Sequence, residues 1–150
     1  MKSTFVYVSY IKTTPEELWH ALTTPRLMKQ YWIGMDTETD WKKGSAWTMK
    51  FPDGRVADAG EIVEISPPKR IVIKWRNEWN PEMRKEGFSR CTFDLEQENG
   101  AVKLTVTHRM DVLNSKFIDS LSGAWPICIS NLKSLLETGD VALKENPRHT

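Results

Sequence analysis

Asn99-Gly100 lies between two runs in which apolar and polar residues alternate, and this arrangement constrains the fold more than any other stretch of the chain. A two-residue hairpin turn of type I′ needs positive φ at both central positions, which Asn followed by Gly tolerates well. Ahead of the turn, Cys91, Phe93 and Leu95 fall on one face of an extended chain, with Arg90, Asp94 and Glu96 on the other. Beyond it, Val102, Leu104, Val106, His108 and Met110 oppose Lys103, Thr105, Thr107 and Arg109. Ile71, Ile73 and Trp75 alternate in the same way with Lys74 and Arg76, and Lys43-Gly44, Pro52-Asp53-Gly54 and Pro67-Pro68 supply further turns. From Gly34 to about Met110 the pattern is therefore a meander of one-sided strands, which belongs to an antiparallel sheet with one wet face.

Helical periods flank this region. Thr4 to Ile11 reads as a strand, after which Thr14-Pro15-Glu16-Glu17 forms a capping box with proline at the first helical position. Leu18, Ala21 and Leu22 make the buried stripe of that helix. Thr24-Pro25 repeats the signal for a second short helix carrying Leu27, Met28, Tyr31 and Trp32, which Gly34 ends. Near Asn114 or Ser115 a long amphipathic helix begins, with Phe117, Ile118, Leu121, Trp125, Cys128, Ile129, Leu132, Leu135 and Leu136 at steps of three and four, closing at Gly139. Pro126 inside it predicts a kink beside Gly123. The predicted organisation is one domain over residues 1–139 and a fraying polar tail over 140–150. The fold class is α+β: a curved antiparallel sheet of about six to seven strands, two short helices, and a long C-terminal helix across the concave face.

Composition excludes several classes of partner. The 21 Lys+Arg nearly balance the 20 Asp+Glu, so no net field draws in nucleic acid or a membrane surface. No run approaches the roughly 20 apolar residues of a membrane span, and Met1-Lys2-Ser3-Thr4 leads directly into a strand, which predicts a cytoplasmic protein. Cys91 and Cys128 lack paired or metal-type spacing and read as small buried hydrophobes; neither a metal nor a cofactor is called for. The departure from average is seven Trp, at positions 19, 32, 41, 47, 75, 79 and 125.

Three segments carry a resemblance. They are Ile11-Lys12-Thr13-Thr14-Pro15-Glu16-Glu17-Leu18-Trp19 with Leu22-Thr23-Thr24-Pro25 and Tyr31-Trp32; Gly60-Glu61-Ile62-Val63-Glu64-Ile65 with Pro67-Pro68-Lys69-Arg70-Ile71; and Gly123-Ala124-Trp125-Pro126 with Leu132-Lys133-Ser134-Leu135-Leu136-Glu137-Thr138-Gly139. With the order of elements, they resemble the START-like (SRPBCC, helix-grip) superfamily, and within it the bacterial branch similar to the activator of heat-shock protein 90 ATPase homologues. Ala124 here separates a Gly and a Trp that relatives commonly carry side by side. The resemblance implies the helix-grip fold. Function stays open, because that scaffold is implied to hold lipid carriers, hormone receptors, cyclases and cochaperone domains.

Alternation and helical spacing place Trp32, Trp47, Met49, Phe51, Trp75, Phe93, His108, Met110, Trp125 and Ile129 on inward faces. As a set they are the candidate wall of an apolar cavity between sheet and long helix, centred on Trp75, His108 and Trp125. The plain alternative is that they fill the core, although so many Trp pack poorly without voids. Trp79, in the loop Trp79-Asn80-Pro81-Glu82-Met83, reads either as part of a mobile flap at the cavity mouth or as a plug folded back. His108 is the one histidine on an inward strand face. A catalytic base there would need an orienting carboxylate, and Glu61 and Glu64 lie on opposite faces of another strand; a histidine bonded to backbone is the bland alternative. No phosphate loop, nucleophile elbow or zinc motif is present.

Three functions compete. The first is binding of a small, largely hydrophobic molecule, expected from the Trp-rich inward face. The second, implied by resemblance alone, is a cochaperone-like module binding heat-shock protein 90, though 150 residues leave no room for the additional N-terminal domain ascribed to the eukaryotic cochaperones. The third is a cyclase- or hydrolase-type enzyme using His108. An exposed edge strand or a surface Trp would favour a homodimer.

Overall fold

The computed structural model describes residues 2–149. Its elements are β1 (Ser3–Ile11), α1 (Pro15–Thr23), α2 (Pro25–Tyr31), β2 (Asp36–Thr39), β3 (Ala46–Lys50), β4 (Val56–Ser66), β5 (Arg70–Asn77), α3 (Pro81–Lys85), β6 (Ser89–Glu98), β7 (Ala101–Met110) and α4 (Lys116–Thr138). The strands form one antiparallel sheet in the order β1-β7-β6-β5-β4-β3-β2. Asn99 and Gly100 adopt φ of 45° and 84°, and Glu98 pairs with Ala101, so the hairpin forms in the expected register. This register sends Cys91, Phe93, Leu95, Val102, Leu104, Val106 and His108 into the interior together.

Local sequence explains the helix starts. The Thr14 hydroxyl accepts from the Glu17 amide at 3.2 Å, while the Glu17 carboxylate takes the neighbouring Thr13 hydroxyl at 3.0 Å in place of the reciprocal half of the capping box. Pro25 opens α2, and the Gly34 amide closes onto the Lys29 carbonyl at 2.7 Å. Ser115 caps α4 by accepting from the Ile118 amide at 3.0 Å, and the Glu86 carboxylate accepts the Lys116 amide at 2.8 Å, favourable at a helix N-terminus. The helix continues through Pro126 and stops at Gly139, which lies in the left-handed region.

Two expectations change. The stretch after Trp79 contains a short helix, α3, because Asn80-Pro81 is a third cap-plus-proline signal: the Asn80 side chain accepts from the Glu82 and Met83 amides. Glu82 also pairs with Lys116 at 2.6 Å, so this stretch is tied to the start of α4. The tail, expected to fray, folds back along α4. Asn131, fully buried, accepts from the Leu143 amide at 2.7 Å and donates to the Leu143 carbonyl at 2.8 Å. Arg148 reaches the Ser120 carbonyl at 3.3 Å, passing over Gly123, where a Cβ would stand 3.1 Å from its guanidinium.

Candidate functional site

On the interior face, register brings Trp47 of β3, Gly60 of β4 and Trp75 of β5 into one row. A Cβ on Gly60 would lie 1.6 Å from the Lys74 carbonyl oxygen, so no side chain separates the two indoles, which meet at 4.5 Å. Trp125 of α4 stands edge-on to Trp75 at 5.9 Å, to Phe93 at 5.6 Å and to Trp32 at 4.8 Å. Such edge contacts add about 0.5–1.5 kcal/mol each to the burial of the rings.

His108 is locked into this cluster. The Ser89 hydroxyl donates its only proton to the Trp75 carbonyl at 2.7 Å, so the 2.7 Å contact from His108 Nε2 must be a donation to Ser89 Oγ. His108 Nδ1 is then an acceptor, and the Trp125 indole N–H donates to it at 3.3 Å. Only the neutral ring satisfies both bonds. Burial pushes its pKa down to about 3. Both nitrogens are committed and the residue is wholly buried, so no lone pair faces a substrate. Burial likewise raises the Cys91 and Cys128 thiols, which remain protonated and apolar.

The empty space divides in two. Trp47, Met49, Phe93, Trp125 and Ile129 surround an inner void of about 30 Å³, room for only one or two water-sized guests. A larger cleft of about 660 Å³ opens outside it, between the end of α2, the ends of β4 and β5, the first half of α4 and the tail. Tyr31, Trp32, Trp75 and Cys128 line both spaces and form the partition. Phe51 and Trp79 form the outer lip, in edge contact at 5.9 Å, with Trp79 53% exposed. The predicted wall is thus split: His108 and Met110 border neither space, and five of the named residues surround only the inner void. The open volume lies to one side of the predicted centre because Trp75, His108 and Trp125 pack against one another.

Asp58 is a buried acid of the cleft that the sequence expectations did not include. It is 8% exposed, opposite Met49 and Asn77 in register, and shares the inward face with Gly60. Alternation along β4 was the available signal. Burial raises its pKa to about 7; the Trp75 indole N–H partly opposes the shift, and the charge of Glu78 adds to it. That N–H lies outside hydrogen-bonding geometry and has no partner. Among the described residues no group of His, Cys, Asp and Glu is placed to hold a metal, and no helix is long and apolar enough to cross a membrane.

The family model described as "Activator of Hsp90 ATPase homolog 1-like protein" matches residues 12–137. The chain belongs to this family. A curated member, the human "Activator of 90 kDa heat shock protein ATPase homolog 1", is 33% identical over 110 residues, covering 73% of this chain but 28% of the human protein. The family fold recurs in a protein of Mesorhizobium loti, with TM-score 0.78, 23% identity, and 93% of this chain covered against 100% of that one. It recurs also in a structure described as the Aha1 dimer of Colwellia psychrerythraea, with TM-score 0.75, 21% identity, and coverage of 91% and 98%. The helix-grip architecture expected from the sequence is the architecture of the family.

Proposed function

We propose that this member of the activator family binds a small, largely apolar molecule in the outer cleft. The supporting observation is the cleft itself: its volume of about 660 Å³ falls in the usual range for ligand pockets, and Trp32, Trp75 and Trp79 offer it broad apolar surfaces. Sites of this kind combine an apolar wall with a few polar groups, here including Asp58 and the tail residues Lys144, Glu145 and Arg148. Titration with naphthalene-type probes, followed by tryptophan fluorescence, should give a saturable change that Trp79→Ala weakens. Absence of any saturable change would remove the reading.

A second reading rests on the human relative, whose name describes it as an activator of the 90 kDa heat-shock protein ATPase. The chain would bind that chaperone in the cytoplasm through the family domain. Stimulation of the chaperone's ATPase at micromolar chain concentration tests it, and an unchanged rate with no detectable binding rejects it.

A homodimer is proposed on the free edge of the sheet. In β1, Val6, Val8 and Tyr10 are exposed and the strand carries no charged residue, leaving an unguarded edge of the kind that pairs with another strand. At its far end α4 guards the edge: Lys133 bonds the Tyr10 carbonyl and Glu137 accepts the Lys12 amide. Light scattering on the wild type and on Val8→Lys should show a dimer that the substitution dissociates; a monomeric wild type would refute it.

A further inference from the structure

We propose that the outer cleft selects a lipophilic ammonium ion, with its apolar body against Trp32 and Trp79 and its protonated amine on the Asp58 carboxylate. The inference rests on the outer cleft being the ligand site. Asp58 lines that cleft while 8% exposed; its carboxyl makes no ion pair among the described residues, and the neighbouring Trp75 indole N–H stays outside hydrogen-bonding geometry. A carboxyl so placed is costly to ionise unless a partner arrives. Among the described residues no cation pairs with it. Arg76 and Arg84 are both engaged by Glu78, Lys144 pairs with Asp140 at 3.6 Å, and Arg148 is turned to the Ser120 carbonyl.

The surroundings point to an organic cation. Asp58 and Glu145 are the carboxylates that line the cleft, and among the described residues they belong to no cluster able to hold a metal ion, which prefers several oxygen ligands. An alkylammonium ion brings a full compensating charge and up to three N–H donors, and aromatic faces add cation–π attraction. Asp58, ionised by the bound cation, also becomes the better acceptor for the Trp75 indole N–H, so one ligand would relieve two underused polar groups of the same wall. A neutral guest of the same shape gains the apolar contacts but leaves both groups as they are.

The test compares 1-naphthylmethylamine with the neutral isostere 1-naphthalenemethanol at neutral pH, by fluorescence titration of wild type, Asp58→Asn and Asp58→Ser. The amine should bind wild type about tenfold more tightly, and both variants should bind the two probes equally. Two substitutions guard against one failing to fold, and far-ultraviolet circular dichroism verifies each. Equal affinity of wild type for both probes overturns the amine preference while leaving the cleft intact as a binding site. Binding of neither probe overturns the cleft and the preference together. An amine preference that survives in folded variants also refutes the proposal, because the cation would then sit elsewhere.

Discussion

Trp47 and Trp75 lie on strands that do not touch, yet their rings meet at 4.5 Å because Gly60, between them in register, has no side chain. The sheet draws β4 and β5 so close at this point that any Cβ would overlap the Lys74 carbonyl. The glycine is therefore required twice, for the strand spacing and for the indole contact above it.

Gly60→Ala should destabilise the protein by about 4 kcal/mol or more, or prevent folding, since the added methyl meets backbone rather than a movable side chain. Urea denaturation of the soluble fraction measures it. A loss below about 1 kcal/mol would mean that β4 can move away from β5 without breaking the row.

Removing the partition is the next case. Trp32→Ala should join the inner void to the outer cleft, so that bulkier fused-ring probes bind, at a stability cost of about 2–3 kcal/mol, below that of a fully buried Trp. Probe affinity and thermal midpoint together check this. Unchanged affinity for larger probes would show that neighbouring side chains refill the gap.

Asp58 and His108 make opposite contributions to the pH dependence of stability. The folded pKa of Asp58 is raised from 3.8 to about 7, so the native state holds a proton that the unfolded chain releases, and stability falls as pH rises through that window. His108 has its folded pKa lowered from 6.5 to about 3, so its contribution is complete above the unfolded value and is lost as pH falls toward 3. The two trends largely cancel between them. Asp58→Asn should match wild type near pH 4 and exceed it by about 2–4 kcal/mol at neutral pH, exposing the rising histidine trend. Chemical denaturation across this range decides it; an equal difference at every pH would mean that Asp58 ionises normally.

Asn131→Ala should release the tail, because it removes both side-chain bonds to Leu143. We expect a loss of about 2 kcal/mol and protease cleavage within residues 140–148 that wild type resists. Resistance equal to wild type would mean that the Arg148 bond to Ser120 and the packing of Val141 against the core hold the tail unaided.

Much of the fold was legible because its signals are local. Asn99-Gly100, the alternation of Val102 to Met110 and the Thr14-Pro15 cap each act within a few residues, and each appears in the structure. Asn80-Pro81 carries the same signal but reads as loop in sequence, because the helix it starts spans little more than a turn and has no apolar stripe. Asn131 looked like an ordinary helix residue; its role depends on a segment 12 positions away. The split of the cavity wall was illegible for a different reason. Inward-facing aromatics are predictable from period, but whether Trp75, His108 and Trp125 enclose space or fill it depends on ring angles that no spacing encodes.

Proton placement fixes the setting of α4. From the Trp125 indole through the His108 ring and the Ser89 hydroxyl to the Trp75 carbonyl, each group gives to the next, across the sheet from β7 to β5. The relay has one direction, so the helix fits the sheet like a key with a single tooth: a small rotation or slide strands several dipoles in an apolar interior. If the outer cleft binds guests as proposed, accommodating different sizes would fall to the Trp32 corner and the returning tail. Among proteins built this way, changes in those two segments should retune guest size while the angle between helix and sheet stays constant.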